Sequence, residues 1–245
     1  MRKTTYILLL VLFARNASGL TLFGPPVPEL KPHFWNFGFD YLHNDIDFFD
    51  SADYRITYRG STYLARFGRG IFGNMDISIG LGISQGEITQ LDSTINNING
   101  FISSIKGRTL IHEFDDTLSL GITAILDYYE LEQNESLWSV SIDNTETKII
   151  LGLSKNIENL NIYGGPYYRN INGDGSFHIG TLGATSGDLS EGDNIGVYLG
   201  ASLELPIETL NVSPKDRIDK YKIRFELQHA EDNTSAGVSI CFPFK

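Results

Sequence analysis

From Met75 to Ser84 the chain reads MDISIGLGIS, and its two parities separate completely. Met75, Ile77, Ile79, Leu81 and Ile83 alternate with Asp76, Ser78, Gly80, Gly82 and Ser84. Successive side chains of a strand point to opposite faces, so this segment is a strand with one apolar face and one small, polar face. The pattern returns at Leu118, Leu120, Ile122, Ala124 and Leu126, and again at Ile195, Val197, Leu199, Ala201 and Leu203. It continues through Tyr221, Ile223, Phe225 and Leu227 to Val238, Ile240, Phe242 and Phe244. A chain built this way is all-β.

Alternation alone fits a soluble sandwich as well as a barrel. Several segments approach the length a tilted strand needs to cross a bilayer, and their polar faces carry Gly and Ser with occasional charges, which suits a crowded lumen. Aromatics at Trp35, Tyr41, Phe72, Tyr128, Tyr129, Tyr167, Tyr168 and Phe244 lie where an interfacial girdle is expected. The expected fold is therefore a closed antiparallel up-and-down transmembrane β-barrel of about ten strands, with eight or twelve as alternatives. Those strands are 33–43, 61–71, 75–87, 117–130, 136–142, 145–154, 159–169, 193–205, 220–229 and 235–244. Long outer loops are expected at 44–60, 88–116 and 170–193, and the long connection 206–219 falls on the inner side. Leu91, Ile95, Ile98, Ile102 and Ile105 have helical spacing, which predicts a short amphipathic helix over 89–105.

The first residues carry Arg2 and Lys3, an apolar run from Tyr6 to Ala14, and small residues Ala17 and Gly19. That order is a secretory signal peptide over 1–19. Pro25, Pro26, Pro28 and Pro32 forbid helix and central strand, so 20–32 reads as an extended N-terminal tether and 33–245 as the barrel. The chain has 19 basic and 30 acidic residues. Since 1–19 holds three of the basic ones and no acid, the remainder carries 16 against 30, a net charge of −14. An acidic exported chain is a poor nucleic-acid binder. A single cysteine, Cys241, excludes an internal disulfide, and no Cys/His spacing suggests zinc.

Gly82 to Gly86 spells G-x-S-x-G, but a nucleophile elbow needs a strand, a strained turn and a helix; here Ser84 continues the polar parity of a strand. A lipid-modifying barrel enzyme would need a base near one membrane interface, for which His112 and His229 are the candidates. Asn170, Asn172 and Asp174 before Gly175 resemble the start of a calcium loop, although Thr181 stands where such a loop needs Glu. Arg66, Lys148, Glu204, Arg224 and Glu226 fall on polar parities and are expected to form ion pairs inside the lumen.

The signal peptide, the repeated amphipathic strands, the Gly-rich hairpin YLARFGRGIFGNMDISIGLGIS and the near-terminal Phe244 resemble the small bacterial outer-membrane β-barrel proteins, the broad OmpA/OmpW-like group. The resemblance implies a Gram-negative outer-membrane protein, a non-enzymatic monomer with a structural or interaction role or a narrow channel for small solutes. It implies lipopolysaccharide and the barrel-assembly machinery as partners and no cofactor. The competing readings are a barrel enzyme acting on lipid A or phospholipid, and a secreted lipocalin-like carrier with its apolar parity turned inward.

Overall fold

A computed structural model describes residues 21–50, 55–90, 93–135, 138–179, 183–190, 195–206, 220–230 and 233–244. Residues 1–19, expected from the sequence to be a signal peptide, and the connection 207–219 lie outside these described residues.

The strands are β1 (Trp35–Asp50), β2 (Arg55–Phe72), β3 (Met75–Gln90), β4 (Ser93–Glu113), β5 (Leu118–Glu135), β6 (Trp138–Ile157) and β7 (Leu160–Ile179), followed by β8 (Gly183–Ser190), β9 (Ile195–Pro206), β10 (Lys220–Ala230) and β11 (Asn233–Phe244). Ten of them close an antiparallel ring, β1 to β7 followed by β9, β10 and β11, sealed where Trp35–His43 of β1 pair with Phe244–Ala236 of β11. The end that carries the 73–74, 114–117 and 158–159 turns is termed the base, and the opposite end the top. Toward the top, β7 exchanges its neighbour β9 for β8, and β8 meets β1 at Phe49 and Asp50. The ten-stranded ring thus gives way to one of eight, and since barrel diameter grows with strand number the wall tapers upward.

Several expectations are corrected. The sequence's split segment 136–142 and 145–154 is one strand, β6, and the missing tenth strand is β4, in the region expected to be a loop and helix. The connections 44–60, 88–116 and 170–193 are largely strand: the first and last extend the wall above the apolar belt, and 88–116 is mostly β4, which crosses the belt from top to base. The helical spacing over 89–105 has a specific cause. Opposite β3, one extra residue is inserted into β4 between Ile95 and Ile98, at a bulge where Asn97 takes a left-handed φ of 61°. The bulge reverses parity, so Ile95 above the insertion and Ile98 and Ile102 below it all pack on one interior cluster, while Ile105 faces out.

Outward positions form a belt of exposed apolar side chains including Phe39, Ile79, Leu81, Leu151 and Leu199, far more than a protein facing only water exposes contiguously. The girdle expectation is corrected at two residues. Tyr129 and Tyr167 are buried inside, while their neighbours Tyr128 and Tyr168 are exposed, as alternation requires. Inward glycines make room for inward aromatics. Tyr163 and Tyr167 stand opposite Gly200 and Gly196, and a Cβ on either glycine would overlap the facing ring.

Candidate functional site: the filled lumen

Inward parities of the lower and middle wall carry charge. Arg66 pairs with Asp40 at 2.8 Å, and Arg108 holds Asp76 through Nε at 2.7 Å. Higher up, the Lys148 ammonium lies 2.8 Å from Asp127 and 2.7 Å from Glu146, with Arg169 3.8 Å from Glu146. These four side chains are at most 1% exposed. Charges so far from water persist only when paired, and short β-strand rungs supply the partners at fixed spacing. Above this layer the interior becomes apolar, with Ile46, Leu64, Ile98, Ile102, Leu131 and Ile142 among a buried cluster.

The lower lumen is occupied by the chain itself. Residues 21–34 contain no helix or strand and rise from the base, where His33 N–H donates to the Gly70 carbonyl, to mid-barrel, where the Thr21 hydroxyl donates to Asp127 at 2.7 Å. The proline-rich segment read from sequence as a tether is thus a strap inside the barrel. Glu226 receives the Phe23 and Gly24 N–H groups, both at 2.6 Å. Lys106 donates to the Leu22 and Phe23 carbonyls, and Gln228 to the Thr21 carbonyl. Asp76 receives the Glu29 N–H at 2.9 Å. Phe23 is 0% exposed and sits edge-on to Tyr167 and Tyr198 at 4.9 and 5.3 Å, with the Lys148 ammonium 5.7 Å from its ring centre. Below, the Glu29 carboxylate lies 2.5 Å from Arg108, 2.6 Å from Arg224 and 3.5 Å from Lys222.

Of the residues expected to line the lumen, Arg66, Lys148, Arg224 and Glu226 are buried inside it. Glu204 lies at the basal rim, bonded to the exposed Lys220 at 2.6 Å. Sequence reasoning missed Lys106 and Arg108, because their strand was not recognised, and Glu29, which no periodicity marks. Asp76 and Asp127 were already visible on polar parities of their strands.

The candidate chemistries do not assemble. Ser84 is 0% exposed and engaged by Tyr58 at 2.7 Å and Thr62 at 3.0 Å. His112 is exposed near the base beside Phe114, whereas His229 is exposed near the top, bonded to Thr234 at 2.9 Å; the two cannot serve one centre. Asn170, Asn172 and Asp174 lie within β7 rather than in a loop. Alternate positions of one strand run in a line along its outer face and do not curl around an ion.

At the basal turn Asp115 accepts from the Thr117 hydroxyl at 2.8 Å and the Thr117 and Leu118 N–H groups at 2.7 and 2.8 Å. The Thr117 contacts first, then Leu118, hold its carboxyl below the ordinary value of 3.8.

No protein family and no curated protein matches the chain. Among solved structures it is similar to the translocator domain of the autotransporter NalP from Neisseria meningitidis, with 12% identity, TM-score 0.53, and 89% of this chain and 90% of that one covered. It is also similar to the outer-membrane protease OmpT from Escherichia coli, with 8% identity, TM-score 0.50, and 89% and 97% covered. The fold is that of the bacterial outer-membrane β-barrels.

Proposed function

We propose that the chain is exported by its signal peptide to the bacterial outer membrane and serves there as a monomeric, non-enzymatic barrel with a structural or interaction role and a closed lumen. The observation that carries this reading is the pairing of an apolar outer belt with an interior filled from base to top. The belt suits acyl chains, and ring closure leaves no unpaired strand edge in lipid. Lipopolysaccharide and the barrel-assembly machinery are the partners this placement calls for. An inward-apolar carrier of the lipocalin kind would need the opposite parity. A narrow solute channel would need a water path past the strap, the Asp127–Lys148–Glu146 layer and the apolar cluster above them.

Membrane fractionation and heat-modifiable migration on SDS gels test the placement; recovery as a heat-insensitive soluble protein overturns it. In planar bilayers the refolded protein is expected to give no unitary steps. Reproducible open steps from the unmodified protein would refute the closed lumen while leaving the membrane placement intact. The lipid profile of cells with and without the protein is expected to be unchanged, and an altered lipid A or phospholipid pattern would revive the enzyme.

A further inference from the structure

The wall does not need the strap in order to close. Its ring is completed by the β1–β11 ladder, and among the described residues the main chain of 21–30 makes no hydrogen bond to the main chain of the wall. The polar contacts this segment makes with the wall pass through wall side chains: Asp127, Lys148, Glu226, Lys106, Gln228, Asp76, Thr123 and the cations around Glu29. This is how a binding site holds a peptide, with a small number of placed polar groups and an aromatic pocket. Subtracting the strap leaves Lys106, Arg108, Lys222 and Arg224 facing Asp76 and Glu226, a formal +2 inside a chain whose net charge is −11. The adjacent Arg66–Asp40 pair is neutral as a unit.

We propose that the lower lumen is a peptide-binding site, occupied in cis by residues 21–30, which takes an extended segment carrying an aromatic side chain and, six positions later, a carboxylate. Phe23 fills the tyrosine pocket and Glu29 takes the cations. Pro25, Pro26 and Pro28 between them pre-set an extended form and reduce the ordering cost. The strap pivots at its basal attachment around 31–34, where His33 has a left-handed φ of 69°. When it swings out, the site opens toward the base and admits a second segment of the same chemistry, an acidic peptide with an aromatic anchor. This assignment rests on the filled-lumen reading only in that the strap fills the lower half; conductance tests that reading, and thiol reactivity tests this one.

Cys241 is a native reporter, being the chain's only cysteine. It is 2% exposed on the lumen face, 3.1 Å from Arg66 and in register with Lys222. The full-length mature protein is refolded in micelles and challenged with a membrane-impermeant maleimide, with heat-modifiable migration reporting wall integrity. Wild type is expected to label slowly. Glu29→Gln, Phe23→Ala and the double variant are expected to keep the migration shift and to label about tenfold faster or more, since each loses part of what holds the strap closed. A synthetic peptide of residues 20–32 is expected to restore protection of the double variant, and the same peptide with Gln at position 29 to restore much less. Unchanged labelling in a double variant whose wall is intact overturns the proposal, as does loss of the migration shift in every variant. Equal protection by the two peptides overturns the carboxylate specificity.

Discussion

Lys148 shows what a buried charge demands at the scale of one residue. Its ammonium is held by Asp127 and Glu146 and has 0% exposure, so removing one partner strands the rest in a medium that solvates them poorly. Asp127→Ala is expected to destabilise the barrel by about 3–5 kcal/mol, and Asp127→Asn by less, measured by urea titration of the folded band. Gly200 and Gly196 carry a different constraint. Gly200→Ala forces a methyl into the Tyr163 ring, and a cost of about 1–3 kcal/mol is expected in the same titration. Asp115 gives a pH dependence at the base. Because its folded value is depressed, its contribution is fully present above the ordinary value of 3.8 and fades as pH falls through the lower folded one. Amide exchange at Thr117 and Leu118 is therefore expected to quicken only in that acid window, and in Asp115→Ala at every pH. Legibility at this scale follows parity. Ile79 and Leu81 outside, Ser84 and Arg66 inside, are decided by alternation alone, and the same rule separates Tyr128 from Tyr129. Glu29 was illegible because its meaning depends on Arg108 and Arg224, 79 and 195 residues away in the chain.

Among elements, β4 shows how a bulge can imitate a helix. The isoleucines at 95, 98 and 102 share a face only because the insertion beside Asn97 shifts the alternation by one, a local event that a periodicity count reads as a change of period. Paired substitutions separate the two descriptions. In a helix, Ile98, Ile102 and Ile105 would respond alike. In the strand, Ile102→Ala opens a cavity in the apolar cluster and is expected to cost about 2–5 kcal/mol, whereas Ile105→Ala, on the exposed outer face, is expected to cost markedly less. The extended upper sheet has its own signature. Glu130, Asp143 and Asp174 occupy one cross-strand row on β5 to β7, and directly opposed like charges weaken a ladder. Asp143→Asn is expected to raise the thermal midpoint slightly, most visibly at low salt.

For the molecule as a whole, the outer belt was legible because it follows from repetition, and the count of ten agrees because the split of β6 offsets the missed β4; the docking of the strap was not legible, because it carries no period and its prolines describe equally a free linker and a docked one. Among the described residues the strap is joined to the wall through a single connection, at its β1 end. A segment joined on one side can enter a ring that has already closed, whereas a loop between two strands is committed as the ring forms. Assembly is thereby divisible in time, with the wall forming first and the interior filling afterwards. In a refolding time course the SDS-resistant band is expected to appear before Cys241 becomes protected from maleimide, and the delay between those two clocks measures how long the newly closed barrel stands with its lower half open to water.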